Sequence, residues 1–400
     1  MTFDRAPSAR QPSRFLWLYA LACAGGAVAY VPFLTILLPM RVAELAPGDH
    51  VEWLAYMTFC GALAASCSAI LFGWLSDRSR TRRPWIASGL AITLLLSLAM
   101  SLAHDPLSLL LLIVLWQTGL NLMLGPLAAW AADHVPSNQL GALGGLLAFS
   151  PALGSAAGAL VTIPGLADWN GRTALVALLV AACVLPALLL ARPVDSGPAA
   201  AANLDRPALS PPSSRLAAAM WLARFLVQIS EAALFAYLYY FFRGVDRAFD
   251  AAWIARLFGL VLALSVPVAL IVGRWSDRHG RPVLPLIVAS AVAALSLLGM
   301  SAAGEPARAV AAYVLFGLAS TTFLSLHSAQ TFRVLRHSNY RGRDLGLFNL
   351  TNTGPSLIMP WLTVAIVPSF GFSSLFLLLA GLAAIASLIL ASIARQLRRA

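Results

Sequence analysis

Gly73-Trp74-Leu75-Ser76-Asp77-Arg78 and Gly273-Arg274-Trp275-Ser276-Asp277-Arg278 stand 200 residues apart and agree at four of six positions. Each ends a long apolar run and opens a short arginine-containing loop. A chance match between apolar segments would not preserve Ser-Asp-Arg at equivalent points, so the pair reads as one element duplicated. The chain around it is 60% hydrophobic and 11% charged, with a mean hydropathy of +0.81. Ordinary soluble domains carry about 25% charged residues, so a water-soluble core is excluded. A membrane-spanning helix needs about 20 mostly apolar residues. Polar breaks divide the chain into twelve such spans, at approximately 15–40, 52–75, 84–103, 107–131, 142–164, 172–191, 216–242, 252–274, 283–302, 308–332, 345–368 and 371–394.

The net charge of +11 comes from 27 basic residues, all of them Arg. A nucleic-acid-binding protein would gather them on a soluble domain or stripe, whereas here they sit in short loops. Sorted by alternate sides of the spans, 20 fall on one side and five (Arg41, Arg172, Arg243, Arg247, Arg308) on the other, with Arg224 and Arg256 inside spans. The positive-inside rule then places both termini in the cytoplasm. Arg-only usage with abundant Ala and Leu fits a GC-rich bacterial genome, so the expected location is a bacterial inner (plasma) membrane. The first apolar run lacks a small-residue cleavage site and reads as a retained helix. Cys23, Cys60, Cys67 and Cys183 fall inside spans without metal-type spacing and read as small packing residues.

Between spans six and seven, residues 192–215 are rich in Pro, Ala and Ser and read as a cytoplasmic linker. The expected architecture is an all-α membrane protein with twelve transmembrane helices in two pseudo-symmetric six-helix bundles, 1–191 and 216–400. The duplicated loop resembles that of the major facilitator superfamily, whose motif approximates G-x-L-[AS]-D-R-x-G-R-[KR]. The second copy matches well through Gly280 and Arg281, while the first has no turn glycine and is similar to the Arg-Thr-Arg, Arg-Arg-Pro loop of glycoside/pentoside/hexuronide cation symporters. Those symporters carry acidic cation ligands in helix two, and the second span here has no acid between Glu52 and Asp77. The resemblance implies that Gly73, Asp77, Arg78, Gly273, Asp277 and Arg278 form a conformational latch. Its Asp would dock at a helix N-terminus, where free N–H groups and the macrodipole favour an anion. The alternative for each Asp is a solvated cap whose arginines only enforce orientation.

Glu231 is the one carboxylate deep within a span, near the bilayer centre, where charge is costly and usually functional. Either it carries protons, since desolvation disfavours its anion, or it ties helices together. Arg224 and Gln228 lie seven and three residues before it on nearly one helical face. Arg224 either serves the site or snorkels to the headgroups. In the superfamily, spans one, four, seven and ten line a central cavity, which makes Trp116, Gln117, Asn121, Arg224, Gln228, Tyr237 and Ser325 substrate candidates, joined by Asn349 and Asn352 of span eleven. Asn349, Asn352, Gly354 and Pro355 suggest a polar break in that span. His327 reads as a satisfied histidine before it reads as a proton relay. Span five, with Gly141, Gly144, Gly145, Ser150, Pro151, Gly154 and Gly158, partly matches an antiporter motif and equally suits close helix packing.

These readings lead to a secondary active transporter that moves a small polar organic solute, such as a sugar or related metabolite, by alternating access with proton coupling. The rival is a proton-driven efflux antiporter for amphiphilic compounds, and a polytopic membrane enzyme or sensor is the more remote alternative. Without Lys no G-x-x-x-x-G-K-[ST] phosphate loop can exist, which excludes ATP-driven transport by this chain alone. No catalytic residue, metal or cofactor is expected. The expected partners are a small-molecule substrate, a proton or other coupling ion and the lipid bilayer, with no nucleic acid, acting as a monomer.

Overall fold

Proline and capping residues set where the helices begin. A computed structural model describes residues 10–163, 165–194, 214–249, 251–335 and 341–399. Among these, all regular structure is helical. The elements are α1 (Ser13–Leu45), α2 (His50–Ser79), α3 (Arg83–Ala99), α4 (Pro106–His134), α5 (Leu140–Val161) and α6 (Trp169–Leu190), then α7 (Ser214–Val245), α8 (Ala251–His279), α9 (Leu284–Ser301), α10 (Pro306–Val334) and α11 (Arg341–Arg399). Pro84, Pro106 and Pro285 stand in the first turns of α3, α4 and α9, where a missing N–H costs nothing. Asp105 caps α4, accepting from the Ser108 N–H at 2.9 Å, and Asp168 caps α6 through the Gly171 N–H at 2.8 Å. The Ser108 amide and hydroxyl hold the Asp105 carboxyl below its usual range.

Eleven helical segments among the described residues are long and apolar enough to cross a membrane. The remaining expected span, 345–368, is also helical and forms the first part of α11. Its expected break at Asn349–Pro355 does not occur. The helix runs through Pro355 and departs from helical geometry at Gly371 (φ 72°). Asn349 and Asn352 bond one another there, Asn352 also accepts from Arg224, Thr351 donates to the Phe348 carbonyl of its own helix, and Gly354 lies against the Phe225 ring. A proline in a membrane helix is tolerated when neighbours pack around it. In α1, Pro32 is followed by a π-helical stretch, Phe33–Leu37, the usual adjustment where a carbonyl has lost its donor.

Two compact units divide the chain. The first comprises 1–143, 149–213 and 332–347, and the second comprises 144–148, 214–331 and 348–400. A short piece of each sequence half therefore groups with the other half's helices. Of the expected linker 192–215, residues 195–213 lie outside the described residues.

Burial separates two environments along each helix. Leu189 is 71% exposed, Leu388 69%, Ile271 68% and Leu95 66%, which only a lipid solvent makes favourable for so many large apolar groups. Inside the first unit, Gly25 meets Val184 and Cys183 of α6, and Gly154 meets the Ala27 carbonyl, so small residues let the helix axes approach. Inside the second, Phe242 is fully buried and meets Tyr313 edge-on at 5.7 Å, while Phe241 meets Phe376 at 4.8 Å. The free cysteines do not all pack inside, since Cys183 is buried and Cys67 is exposed.

Candidate functional site

Two groups of polar side chains stand out, one in each unit. In the first, α2 ends in a turn made by Arg80 in a left-handed conformation (φ 53°), which holds the Asp77 carboxylate above it. Asp77 Oδ1 accepts from the Gly342 N–H at 2.9 Å, and Oδ2 from the Arg343 N–H at 3.1 Å. Both donors belong to the first turn of α11, where backbone N–H groups have no helical partner and the dipole favours an anion. Arg82 completes the arrangement: Nη2 donates to Asp77 Oδ1 at 2.7 Å, Nη1 to Ser76 Oγ at 2.7 Å and Nε to Asp133 Oδ2 at 2.9 Å. The Asp77 side chain is 3% exposed, so these are desolvated, charge-assisted bonds.

Glycine makes that approach possible. A Cβ on Gly73 would collide with the Gly342 carbonyl, and one on Gly342 with the Gly73 carbonyl. One turn further along α11, a Cβ on Gly346 would lie 2.6 Å from Ile70 Cα. In the second unit, Gly145 shows the mirror case, with its missing Cβ 2.6 Å from Leu270 Cα. Arg78 is exposed and stacks over Trp74, 6.0 Å from the ring centroid. Gly273 is buried, Asp277 half-buried and Arg278 exposed at the end of α8, the same pattern as Gly73, Asp77 and Arg78.

The second group lies along α7. Arg224 is buried, with Nε donating to Thr351 Oγ1 at 3.0 Å, Nη1 to the Leu324 carbonyl at 3.0 Å and Ser328 Oγ at 2.9 Å, and Nη2 to Asn352 Oδ1 at 3.1 Å. The guanidinium thus points into α10 and α11 rather than to a helix end. Asn352 in turn donates to Asn349 Oδ1 at 2.8 Å. Gln228 Nε2 donates to Glu231 Oε2 at 2.8 Å, while Gln228 Oε1 is buried without a partner among the described residues. This line brings together Arg224, Gln228, Glu231, Asn349 and Asn352.

The other sequence candidates make contacts of their own, within their own units. Trp116 is 1% exposed, with its indole N–H donating to Ser97 Oγ at 2.9 Å and its ring 4.9 Å from that of Phe33. Gln117 is buried against Gly61, and Asn121 donates to its own helix at the Gln117 carbonyl. Ser325 likewise bonds the Thr321 carbonyl. Tyr237 is half-buried beside the aromatic core of the second unit. The side chains of Tyr239 and Tyr240 lie outside the described set. His327 is fully buried, with Nε2 3.0 Å from the Met220 carbonyl and Nδ1 3.3 Å from Thr331 Oγ1. Its two ring nitrogens are thereby occupied by α7 and its own helix. No three His, Cys, Asp or Glu side chains come together as a metal cage among the described residues.

Sequence reasoning missed Arg82, Asp133, Gly342 and Thr351. Arg82 and Asp133 stand 51 residues apart, and Asp77 and Gly342 stand 265 apart. A local signal existed only for Gly342 and Gly346, two glycines at helical spacing beside a predicted helix start.

A sequence model described as Major Facilitator Superfamily matches residues 5–159, 141–354 and 220–399. No curated protein sequence matches the chain. Among solved structures, the human organic anion transporter MFSD10 (TETRAN) is similar at TM-score 0.75 and 14% identity, covering 96% of this chain and 100% of that one. A bacterial homologue of the iron transporter ferroportin, in an outward-facing state, gives 0.71 and 16%, covering 95% and 98%. The proton:xylose symporter XylE gives 0.70 and 12%, covering 96% of each chain. At these identities the structures speak for the fold alone, and the sequence model carries the assignment. This multi-pass, all-helical chain belongs to the Major Facilitator Superfamily, a family of membrane transporters.

Proposed function

We propose that the chain is a proton-coupled secondary transporter that carries a small polar organic solute across a bacterial inner membrane by alternating access, with both termini cytoplasmic. The observation that carries this reading is the Arg224, Gln228 and Glu231 line on α7, because charge placed at membrane depth is costly unless it serves a path for solute or ion. Glu231 would exchange protons with whichever side the cavity faces. When ionised, it accepts from Gln228 Nε2; when protonated, its O–H needs an acceptor. The unpartnered Gln228 Oε1 supplies that acceptor after rotation of one amide. Gln228 therefore follows the proton and passes the change along the helix face towards Arg224.

Asp77 supports the conformational side of the reading. Holding two N–H groups at the start of α11, with Gly73 against Gly342, it acts as a latch that must release when the transporter changes state. Gly273, Asp277 and Arg278 would form its counterpart. In Glu231→Gln the glutamate is fixed in a neutral state that keeps size and hydrogen bonding. Gradient-driven accumulation in proteoliposomes is expected to disappear, while exchange across equilibrated membranes, which needs no net proton movement, persists. Full pH-driven accumulation by a well-folded variant would remove Glu231 from coupling.

A further inference from the structure

The folds similar to this one serve a sugar, organic anions and iron in their own proteins, so the solute class has to be read from side chains. Arg224 speaks most directly. Its guanidinium is buried, and four of its five N–H groups go to a hydroxyl, a carbonyl, a second hydroxyl and an amide oxygen, all neutral. No carboxylate lies within ion-pair distance of it among the described residues. Glu231, seven residues further along α7, is engaged by Gln228 and acts on Arg224 only through space. The neutral partners hold the fork in one orientation without cancelling its charge. A buried cation with no carboxylate in contact is expensive to maintain, and a rigid guanidinium fork matches a carboxylate better than any other common solute group.

The open edge is identifiable. The Nη2 nitrogen has one uncommitted N–H, and its partner Asn352 is exposed. One turn along the same face, Gln228 Oε1 is buried without a donor. A solute that places a carboxylate on Nη2 and a hydroxyl or N–H about 6 Å away would satisfy both.

Resting on the transport reading above, we propose that the solute is a small organic carboxylate bearing a hydrogen-bond donor, with Arg224 as its counter-ion and Gln228 as the acceptor for its donor. The test pairs each acid with a neutral analogue: gluconate with glucose, glucuronate with glucuronamide, lactate with lactamide. Binding to the purified full-length protein is read from the ligand-dependent rise in melting temperature. At least one acid should bind, and its neutral partner should bind at least about tenfold more weakly, the scale of one charge-assisted contact. Arg224→Lys should weaken the acid by about the same factor. Asn352→Asp is the sharper variant, because it sets a carboxylate beside the guanidinium, keeps the oxygen that accepts from Nη2 and gives up only the Asn352 Nδ2 bond to Asn349 Oδ1. It should abolish acid binding while the unliganded melting temperature holds or rises.

The proposal is overturned if no acid stabilises the protein, if neutral analogues bind as well, or if acid affinity is unchanged in both variants. Neutral solutes that bind and accumulate in proteoliposomes would end the anion assignment and leave the transport reading intact. An acid that binds through Arg224 but never crosses the membrane would do the reverse.

Discussion

Arg80 and Gly280 occupy the same place in the two copies of the duplicated loop, and both take left-handed backbone, at φ 53° and 61°. The turn is thus conserved as geometry even where the glycine that suits it is missing. The charges around it are shared only in part. In the first copy Ser76 receives Arg82, which also binds Asp77 and Asp133. In the second, Pro282 stands 200 residues from Arg82 and Arg333 stands 200 residues from Asp133. There Ser276 Oγ donates instead to the Arg281 carbonyl at 3.3 Å. Duplication preserved the helix end and its turn, while the residues at the positions of Arg82 and Asp133 changed to Pro282 and Arg333. The first helices of the two halves diverge in the opposite sense: α7 carries Arg224 and Glu231 where α1 has Ala24 and Val31. On the proposed reading, the Asp77 latch belongs to the first unit and the solute site to the second.

Packing offers the largest way to break this comparison, because there the two copies agree. Gly346→Val and Gly145→Val each force a side chain into a helix backbone at 2.6 Å. Overpacking of this kind costs about 1–3 kcal/mol. Both variants should lose most transport to a similar degree, measured as initial rates in proteoliposomes, and a large difference between them would mean that the two close approaches do different jobs.

The charges should separate the copies. Asp77→Asn removes charge-assisted bonds worth about 1.5–3 kcal/mol, so turnover should fall roughly tenfold or more, with solute affinity moved only by the population shift. Equal effects of Asp77→Asn and Asp277→Asn would show that the Arg82 network adds nothing. Arg82→Gln should fall between wild type and Asp77→Asn, since the α11 amides still hold Asp77. The smallest effect concerns the turns. Arg80→Gly should raise stability by about 1 kcal/mol or less, and Gly280→Ala should lower it by about 1 kcal/mol. Thermal unfolding in detergent reads both, and a shift of the opposite sign at either position would deny the shared turn.

The helices were legible because a spanning segment is written in some 20 consecutive residues, and the repeat because 200 residues separate matching motifs. Placement of Glu231 and Arg224 in the chain was equally local. Their partners were not, because Thr351 and Asn352 reach Arg224 from 127 and 128 residues away. Trp116 looked like a cavity residue by its helix, yet its one polar atom is used by Ser97 on the neighbouring α3. Pro355 looked like a helix break, yet the bend falls at Gly371, and Asn352 beside Pro355 is engaged by Arg224 of α7. In each case the deciding contact comes from another helix, which a linear pattern does not encode.

The division of labour between the two regions reduces to a ratio, gradient-driven accumulation over equilibrium exchange, measured for Glu231→Gln and Asp77→Asn in the same proteoliposomes. Loss of coupling should collapse the ratio in Glu231→Gln while exchange continues. A slowed latch should reduce accumulation rate and exchange together in Asp77→Asn and leave the ratio at its wild-type value. A preserved ratio in Glu231→Gln, or a collapsed one in Asp77→Asn, would contradict the account.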